Sequence, residues 1–250
     1  MKWNLLETGA NSGVFNMDFD IKLIEQARED QVFLRFYKWK PYCISLGFNQ
    51  AIDSINIKKV QEEGIDIVRR PTGGRAILHA EELTYSIIHP VDNSLTPKNL
   101  YHKINQALKK GLEIYRPALQ KIELEHNQPH FQTFYKEDKS SLCFAVSAKS
   151  EINYQGRKLV GSAQRKISNL VLQHGSILCG NFHLNLVDFL NMSDEEKAKI
   201  KEEIKNTTTD ISSILDEEVD YEKLKDSLKA GFEKHFDFVF ENHQEEISLN

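Results

Sequence analysis

Arg69-Arg70-Pro71-Thr72-Gly73-Gly74-Arg75-Ala76-Ile77-Leu78-His79 is the stretch of this chain densest in groups able to do chemistry. Paired glycines permit positive φ and let backbone N–H groups come close to a ligand. Arginines and a histidine flank the pair. That combination suits a tight turn gripping an anionic or carbonyl-bearing ligand. The same spacing suits a glycine hairpin with a solvated basic rim, and spacing alone leaves both readings open.

Two further stretches carry polar groups among small residues. Gln155-Gly156-Arg157-Lys158-Leu159-Val160-Gly161-Ser162-Ala163-Gln164-Arg165 is followed, after a short turn, by Val171-Leu172-Gln173-His174-Gly175-Ser176-Ile177-Leu178. The three cysteines, Cys43, Cys143 and Cys179, are widely spaced and odd in number. They form neither a disulfide framework nor a metal-ligand cluster, so no metal site is expected. Cys43 and Cys179 sit in apolar strand-like runs and read as core. Cys143, in Ser141-Leu142-Cys143-Phe144, lies just upstream of the lysine-bearing stretch.

Taken together, R-R-P-T-G-G-R-A-I-L-H, G-R-K-L-V-G-S-A-Q and L-Q-H-G-S-I-L resemble, in that order, the lipoate/octanoate protein ligase and transferase family. The resemblance implies an α+β fold, a mixed and largely antiparallel β-sheet flanked by helices, akin to biotin ligases. It also divides the function by how the acyl group is activated. One branch adenylates lipoate with ATP; the other takes octanoyl from acyl carrier protein, or from another lipoyl-domain protein, as a cysteine thioester. A cysteine suits the second because thioester exchange is nearly isoenergetic and a thiolate is a strong nucleophile.

The cysteine-dependent branch places its nucleophile in a similar C-F context, which implies that role for Cys143. Lys158 matches the family lysine beside the acyl carbonyl, expected to lower the thiol pKa and to relay the proton of the attacking amine. Gly73 and Gly74 are expected to approach the acyl group, with Gly161, Ser162 and Ala163 forming a narrow opposite wall and Gly175 close by. Arg70 and Arg75 are candidates for the phosphopantetheine or for a partner's acidic surface. His174 is expected to give structural support, and the role of His79 stays open. Arg75 replaces a glycine common in the ATP-dependent branch, and the chain ends soon after its last amphipathic helix, without the extra C-terminal domain of many ligases. The expected enzyme is therefore an octanoyltransferase needing no ATP and no metal. Its donor would be octanoyl-acyl carrier protein, and its acceptors lipoyl domains such as those of the glycine cleavage H protein and 2-oxoacid dehydrogenase E2. An ATP-dependent lipoate ligase and an amidotransferase between lipoyl-domain proteins are the alternatives. A lipoyl-domain-binding protein without activity would leave Cys143 and Lys158 idle.

Composition is compatible with these expectations. With 250 residues, 40% hydrophobic and 28% charged, the chain can build a sizeable core. A net charge of −5 gives no bulk electrostatic reason to bind nucleic acid or anionic membrane. No apolar run approaches membrane-spanning length, and the N-terminus has no secretory signal pattern, so a cytoplasmic location with reduced thiols is expected.

The elements that must position these groups are legible in outline. Trp3 to Thr8 predicts a strand, and Asn11 a helix cap. Val32 to Tyr37 and Cys43 to Gly47 predict a strand pair joined through Trp39-Lys40-Pro41. Asp53 or Ser54 is expected to cap a short helix ended by Gly64. Strands are expected on both sides of the glycine motif, at Ile65 to Val68 and Thr84 to Ile88. Leu100, Ile104, Leu108 and Leu112, spaced by fours, predict a helix introduced by Asn93 or Ser94 and Pro97. Residues 116–142 are the least patterned and suit a surface connection or a partner-binding loop. Strands follow at 152–154, 158–164 and 170–178. One catalytic domain is expected, with a core over about residues 1–190 and a helical segment over about 193–250.

Overall fold

β-Branched and aromatic runs supply the sheets of the computed structural model, which describes residues 1–125 and 151–240. The chain runs β1 (Lys2–Asn11), α1 (Gly13–Gln26), β2 (Gln31–Trp39), β3 (Cys43–Leu46), α2 (Ile57–Glu62), β4 (Asp66–Arg69), β5 (Ile77–His79), β6 (Glu82–Pro90) and α3 (Pro97–Tyr115). After a 3-10 turn at Pro117–Lys121 come β7 (Ile122–Leu124), β8 (Ile152–Tyr154), β9 (Arg157–Ile167) and β10 (Leu170–Leu178). A 3-10 segment, Phe182–Phe189, precedes α4 (Asp194–Thr207), α5 (Ile211–Leu215) and α6 (Tyr221–Phe236).

Among the described residues the larger sheet has the order β1-β2-β6-β10-β9-β8-β7. β1 and β2 run parallel, and the remaining neighbours are antiparallel. A smaller sheet, β4-β3-β5, pairs β3 parallel to β4 and antiparallel to β5. The fold is thus the expected mixed sheet with flanking helices. The expected pairing of β2 with β3 is not formed, because β2 is taken up by β1 and β6 in the large sheet and β3 by β4 and β5 in the small one. The strands flanking the glycine motif are separated in the same way, since β4 and β5 join the small sheet and β6 the large one.

Helix signals translate closely. Leu100, Ile104, Leu108 and Leu112 are fully buried where α3 packs along α6 and against the large sheet. The cap of α3 is Thr96, not Asn93 or Ser94, with Pro97 in the first turn. Likewise Ser12 caps α1 and Asn56 caps α2, one to three residues beyond the expected caps. Ser193 and Glu196 form a capping box on α4, and Asp220 caps α6. The weak apolar periodicity of α1 has a physical cause: its inner face carries the buried Asn16 and Asp20. Arg35, itself wholly buried on β2, donates to Asp20 Oδ1 at 2.8 Å and to Asn16 Oδ1 at 2.6 Å. Burial raises the carboxyl pKa of Asp20, and the Arg35 guanidinium opposes that rise. No helix among the described residues is long and apolar enough to cross a membrane.

Candidate active site

Strands of both sheets line one cavity. From β9 and β10 it receives Lys158, Gly161, Ser162, Ala163, His174 and Gly175, and from the first motif Arg70 and His79. The three sequence stretches therefore meet around one space. Cys143 lies outside the described residues.

Small side chains shape one wall. A Cβ on Gly175 would stand 2.5 Å from the carbonyl oxygen of Gly161 and 2.8 Å from the Tyr85 ring, so only glycine lets β9, β10 and β6 close here. Ser162 Oγ lies 2.7 Å from the Tyr85 hydroxyl, which also accepts from Gln173 Nε2 at 2.9 Å. Those hydroxyls are satisfied within the wall, which leaves the cavity a narrow trough of backbone and small groups with Met17 and Trp39 across it.

Gly73, Gly74 and Arg75 are not among the cavity's lining residues. Gly74 has φ of 101°, and a side chain on Gly47 would run into the Gly74 carbonyl. The positive φ of Gly74 favours glycine there, and its carbonyl packs where only a glycine at position 47 leaves room. Arg70, only 2% exposed, cannot meet a partner's surface. Its guanidinium points inward, donating to the carbonyls of Ser45 (2.9 Å), Gly73 (2.9 Å) and Arg75 (2.7 Å). Three carbonyls need a fixed cation more than a ligand does, and Arg70 staples the motif. Arg165, from the second stretch, reaches over to donate to the Pro71 carbonyl at 2.8 Å and caps the Phe48 ring.

His79 sits at the centre of a buried chain. Its Nε2 lies 2.7 Å from Ser45 Oγ and its Nδ1 2.8 Å from Glu82 Oε1, with Trp39 stacked on the ring at 4.1 Å. Thr84 and Ser176 hydroxyls also donate to Glu82 Oε1. Burial works against a charged Glu82, yet His79 and the two hydroxyls outweigh it and hold the carboxyl below its usual range. The order serine, histidine, carboxylate suits nucleophile activation. Ser45, however, has no exposed surface, and its Oγ also takes a hydrogen bond from Arg70 Nη1 at 3.1 Å. The array is built to hold the wall.

Lys158 is 2% exposed, and its Nζ lies 2.9 Å from Glu151 Oε2, itself on the cavity lining. A buried ammonium facing a cavity can attract a carbonyl oxygen and exchange protons with a bound amine or thiol. Cys43 and Cys179 are core, as their apolar runs suggested, and burial pushes their thiols up, Cys179 to about 12 and Cys43 further.

The lining residues that sequence reasoning missed are chiefly Glu151, Met17, Tyr37, Trp39 and Ser45. They arrive from remote elements, and nothing in local spacing marks them. Alternation did offer one signal for Lys158, an ammonium placed in an otherwise inward-facing strand position beside Val160.

The family described as the lipoyl protein ligase A/B catalytic domain matches residues 12–233. The octanoyltransferase LipM of Staphylococcus epidermidis is 33% identical over 250 residues, covering 95% of this chain and 88% of its own length. The octanoyltransferase LipM of Bacillus subtilis is 33% identical, covering 99% and 92%. Among solved structures, a lipoate-protein ligase A bound with ATP superposes with a TM-score of 0.76 at 18% identity, covering 97% of this chain and 89% of its own. A bipartite lipoate protein ligase of Thermoplasma acidophilum gives 0.77 at 18% identity, covering 97% and 87%. At that identity the structural likeness speaks for the fold alone.

Proposed function

The chain belongs to the lipoyl protein ligase A/B catalytic family, and from that premise we propose how it acts: as an octanoyltransferase working through an enzyme thioester. It is an acyltransferase, and octanoyl transfer in lipoate biosynthesis is the reaction of the relatives that match it almost end to end. The observation that carries the reading is the meeting of Lys158 with Gly161, Ser162 and Ala163 at one narrow cavity. An eight-carbon chain gains roughly 0.8 kcal/mol for each methylene it buries in such a trough. A charged group at one end then marks where the carbonyl belongs.

In the proposed sequence, Cys143 attacks the carbonyl of octanoyl-acyl carrier protein. The donor's C–S bond breaks, a C–S bond to Cys143 forms, and the proton lost by the Cys143 thiol ends on the departing thiol. A lysine of a lipoyl domain, on the glycine cleavage H protein or a 2-oxoacid dehydrogenase E2, then attacks the thioester. The C–N bond forms as the C–S bond to the enzyme breaks. Lys158 stabilises the carbonyl oxygen as charge develops on it and moves protons between amine and thiol. No ATP enters either step.

Intact-mass measurement after mixing the protein with octanoyl-acyl carrier protein, without ATP, tests the reading. An octanoyl adduct that hydroxylamine removes is expected, and Cys143→Ala should not form it. Robust lipoate-dependent pyrophosphate exchange without any adduct would instead assign the chain to the ATP-dependent ligases. An adduct formed only from octanoylated lipoyl domains would make it an amidotransferase.

A further inference from the structure

The amine-transfer step leaves a proton to be placed. An acceptor lysine arrives as an ammonium and leaves as an amide, so its nitrogen gives up two protons. One converts the departing enzyme thiolate to thiol; the other needs a base beside the reacting nitrogen. The polar side chains on the lining narrow the choice. His174 Nε2 is engaged with Thr72 Oγ1 at 2.6 Å, and burial pushes its pKa down to about 3, so it takes up no proton at neutral pH. Both nitrogens of His79 are committed to Ser45 and Glu82. Tyr37 on the lining, and Tyr85 and Tyr101 behind it, which feel the charge of Glu151, are raised by burial and are donors at working pH.

The remaining carboxylate on the lining is Glu151, 4% exposed, with Oε2 2.9 Å from Lys158 Nζ. Resting on the thioester reading above, we propose that Glu151 is the proton store for amine transfer, accepting through Lys158 the proton that the incoming ammonium must lose. The balance closes. Lys158 passes one proton along the 2.9 Å contact to Glu151, turning a buried ion pair into a neutral amine and carboxylic acid. Transfer along that contact neutralises both buried charges together. The neutral Nζ takes a proton from the acceptor ammonium, and the freed amine attacks the thioester carbonyl. As the C–S bond breaks, the second nitrogen proton goes to the thiolate. Glu151 finally releases its proton to solvent, and the ion pair re-forms.

Glu151 acts through Lys158 and does not touch the reacting atoms, so its test must separate proton handling from mere support. Wild type, Glu151→Gln and Glu151→Asp are each loaded fully from octanoyl-acyl carrier protein. Each is then chased in two ways, with a purified lipoyl domain bearing one acceptor lysine and with hydroxylamine, an amine already neutral at pH 7. The readout is the ratio of the two rates within each protein. In Glu151→Gln the ratio of lipoyl-domain transfer to hydroxylamine cleavage should fall roughly 10²-fold at pH 7, the lower range for a positioned acid–base group. It should recover as pH rises and the acceptor deprotonates without help. Glu151→Asp keeps a carboxylate and should restore part of the ratio, and it stands in if Glu151→Gln does not fold. An unchanged ratio, or both rates falling together at every pH, would reduce Glu151 to a support for Lys158 and overturn the proposal. Failure of wild type to load at all would sink the thioester reading, and this inference with it.

Discussion

Thr72 Oγ1 and His174 Nε2 lie 2.6 Å apart although 102 residues separate them in the chain. The bond ties the glycine-motif loop to the middle of β10, so the first and third sequence stretches share one buried contact. Burial first, and then the neighbouring Arg70 and His79, push the pKa of His174 down and hold it neutral. Asp20 Oδ2 stands 4.0 Å from its Nδ1.

That neutrality makes stability depend on pH. The folded pKa of His174 is depressed from 6.5 to about 3, so between those values the unfolded chain binds a proton that the native chain does not. Stability from this residue is therefore intact above pH 6.5 and is lost as pH falls toward 3. Other lowered histidines, His89, His183 and His235, contribute in the same sense but are common to both proteins compared. Urea unfolding of wild type and His174→Gln across this range should give a wild-type slope steeper by up to about 1.4 kcal/mol per pH unit. Parallel slopes would mean that His174 is protonated in the native state.

Much of the frame could be read from residues alone, because the relevant signals were local. Spacing by fours in α3, the Ser193–Glu196 capping box and the β-branched runs of β6 and β10 each encode an element without help from distant partners. Strand partnership was not encoded that way. β2 and β3 are adjacent in sequence but in different sheets, and no local rule distinguishes that from a hairpin. The site divides likewise. Motif residues such as Lys158, Ser162, His174 and Arg70 do converge, and the Arg70 guanidinium at the same time holds the glycine-motif loop, whereas Gly73 and Gly74 are not on the lining. Glycine and arginine suit both tasks, and only the direction of the Arg70 guanidinium, toward three carbonyls, shows the second.

Thiol chemistry should be confined to one position. Cys43 and Cys179 are buried, and both thiols are pushed up, Cys179 to about 12. At pH 8 neither offers an appreciable thiolate, so native protein treated with iodoacetamide should gain at most one carbamidomethyl group, mapped to Cys143 by peptide mass. Unfolding in urea should expose all three cysteines. Native labelling at Cys43 or Cys179 would contradict the burial argument and reopen the choice of nucleophile.

Ser45 should behave as a structural residue despite its triad-like partners. Its Oγ is shared between His79 and Arg70 and has no exposed surface. Fluorophosphonate probes should leave it unlabelled. Ser45→Ala removes a partner from two buried groups and should destabilise by about 1–3 kcal/mol, the usual penalty for leaving such groups unmet. Stable labelling of Ser45 would show a nucleophile that this burial forbids.

Replacing Lys158 removes two things at once, and separating them is the decisive experiment on the site. Because Nζ lies 2.9 Å from Glu151 Oε2 and both side chains are buried, Lys158→Met takes the cation from beside a buried carboxylate. Breaking such a pair from one side costs about 3–5 kcal/mol, so the single variant should unfold at markedly lower denaturant. Lys158→Met combined with Glu151→Gln removes both charges and should regain much of that loss, since exchanging a whole buried pair for neutral groups is often tolerated. Octanoyl transfer to a lipoyl domain should not return with stability. It should stay roughly 10²–10⁴-fold below wild type, the contribution of a positioned acid–base group. Lys158→Arg keeps the charge beside Glu151 but cannot surrender a proton at working pH, so it should fold better than Lys158→Met and still transfer poorly. If Lys158→Arg transfers octanoyl at the wild-type rate, proton relay is wrong and the ammonium serves as an electrostatic clamp on the carbonyl oxygen. If the double variant regains transfer along with stability, Lys158 has no part in the chemistry, and its place in the motif reflects only the need to neutralise Glu151.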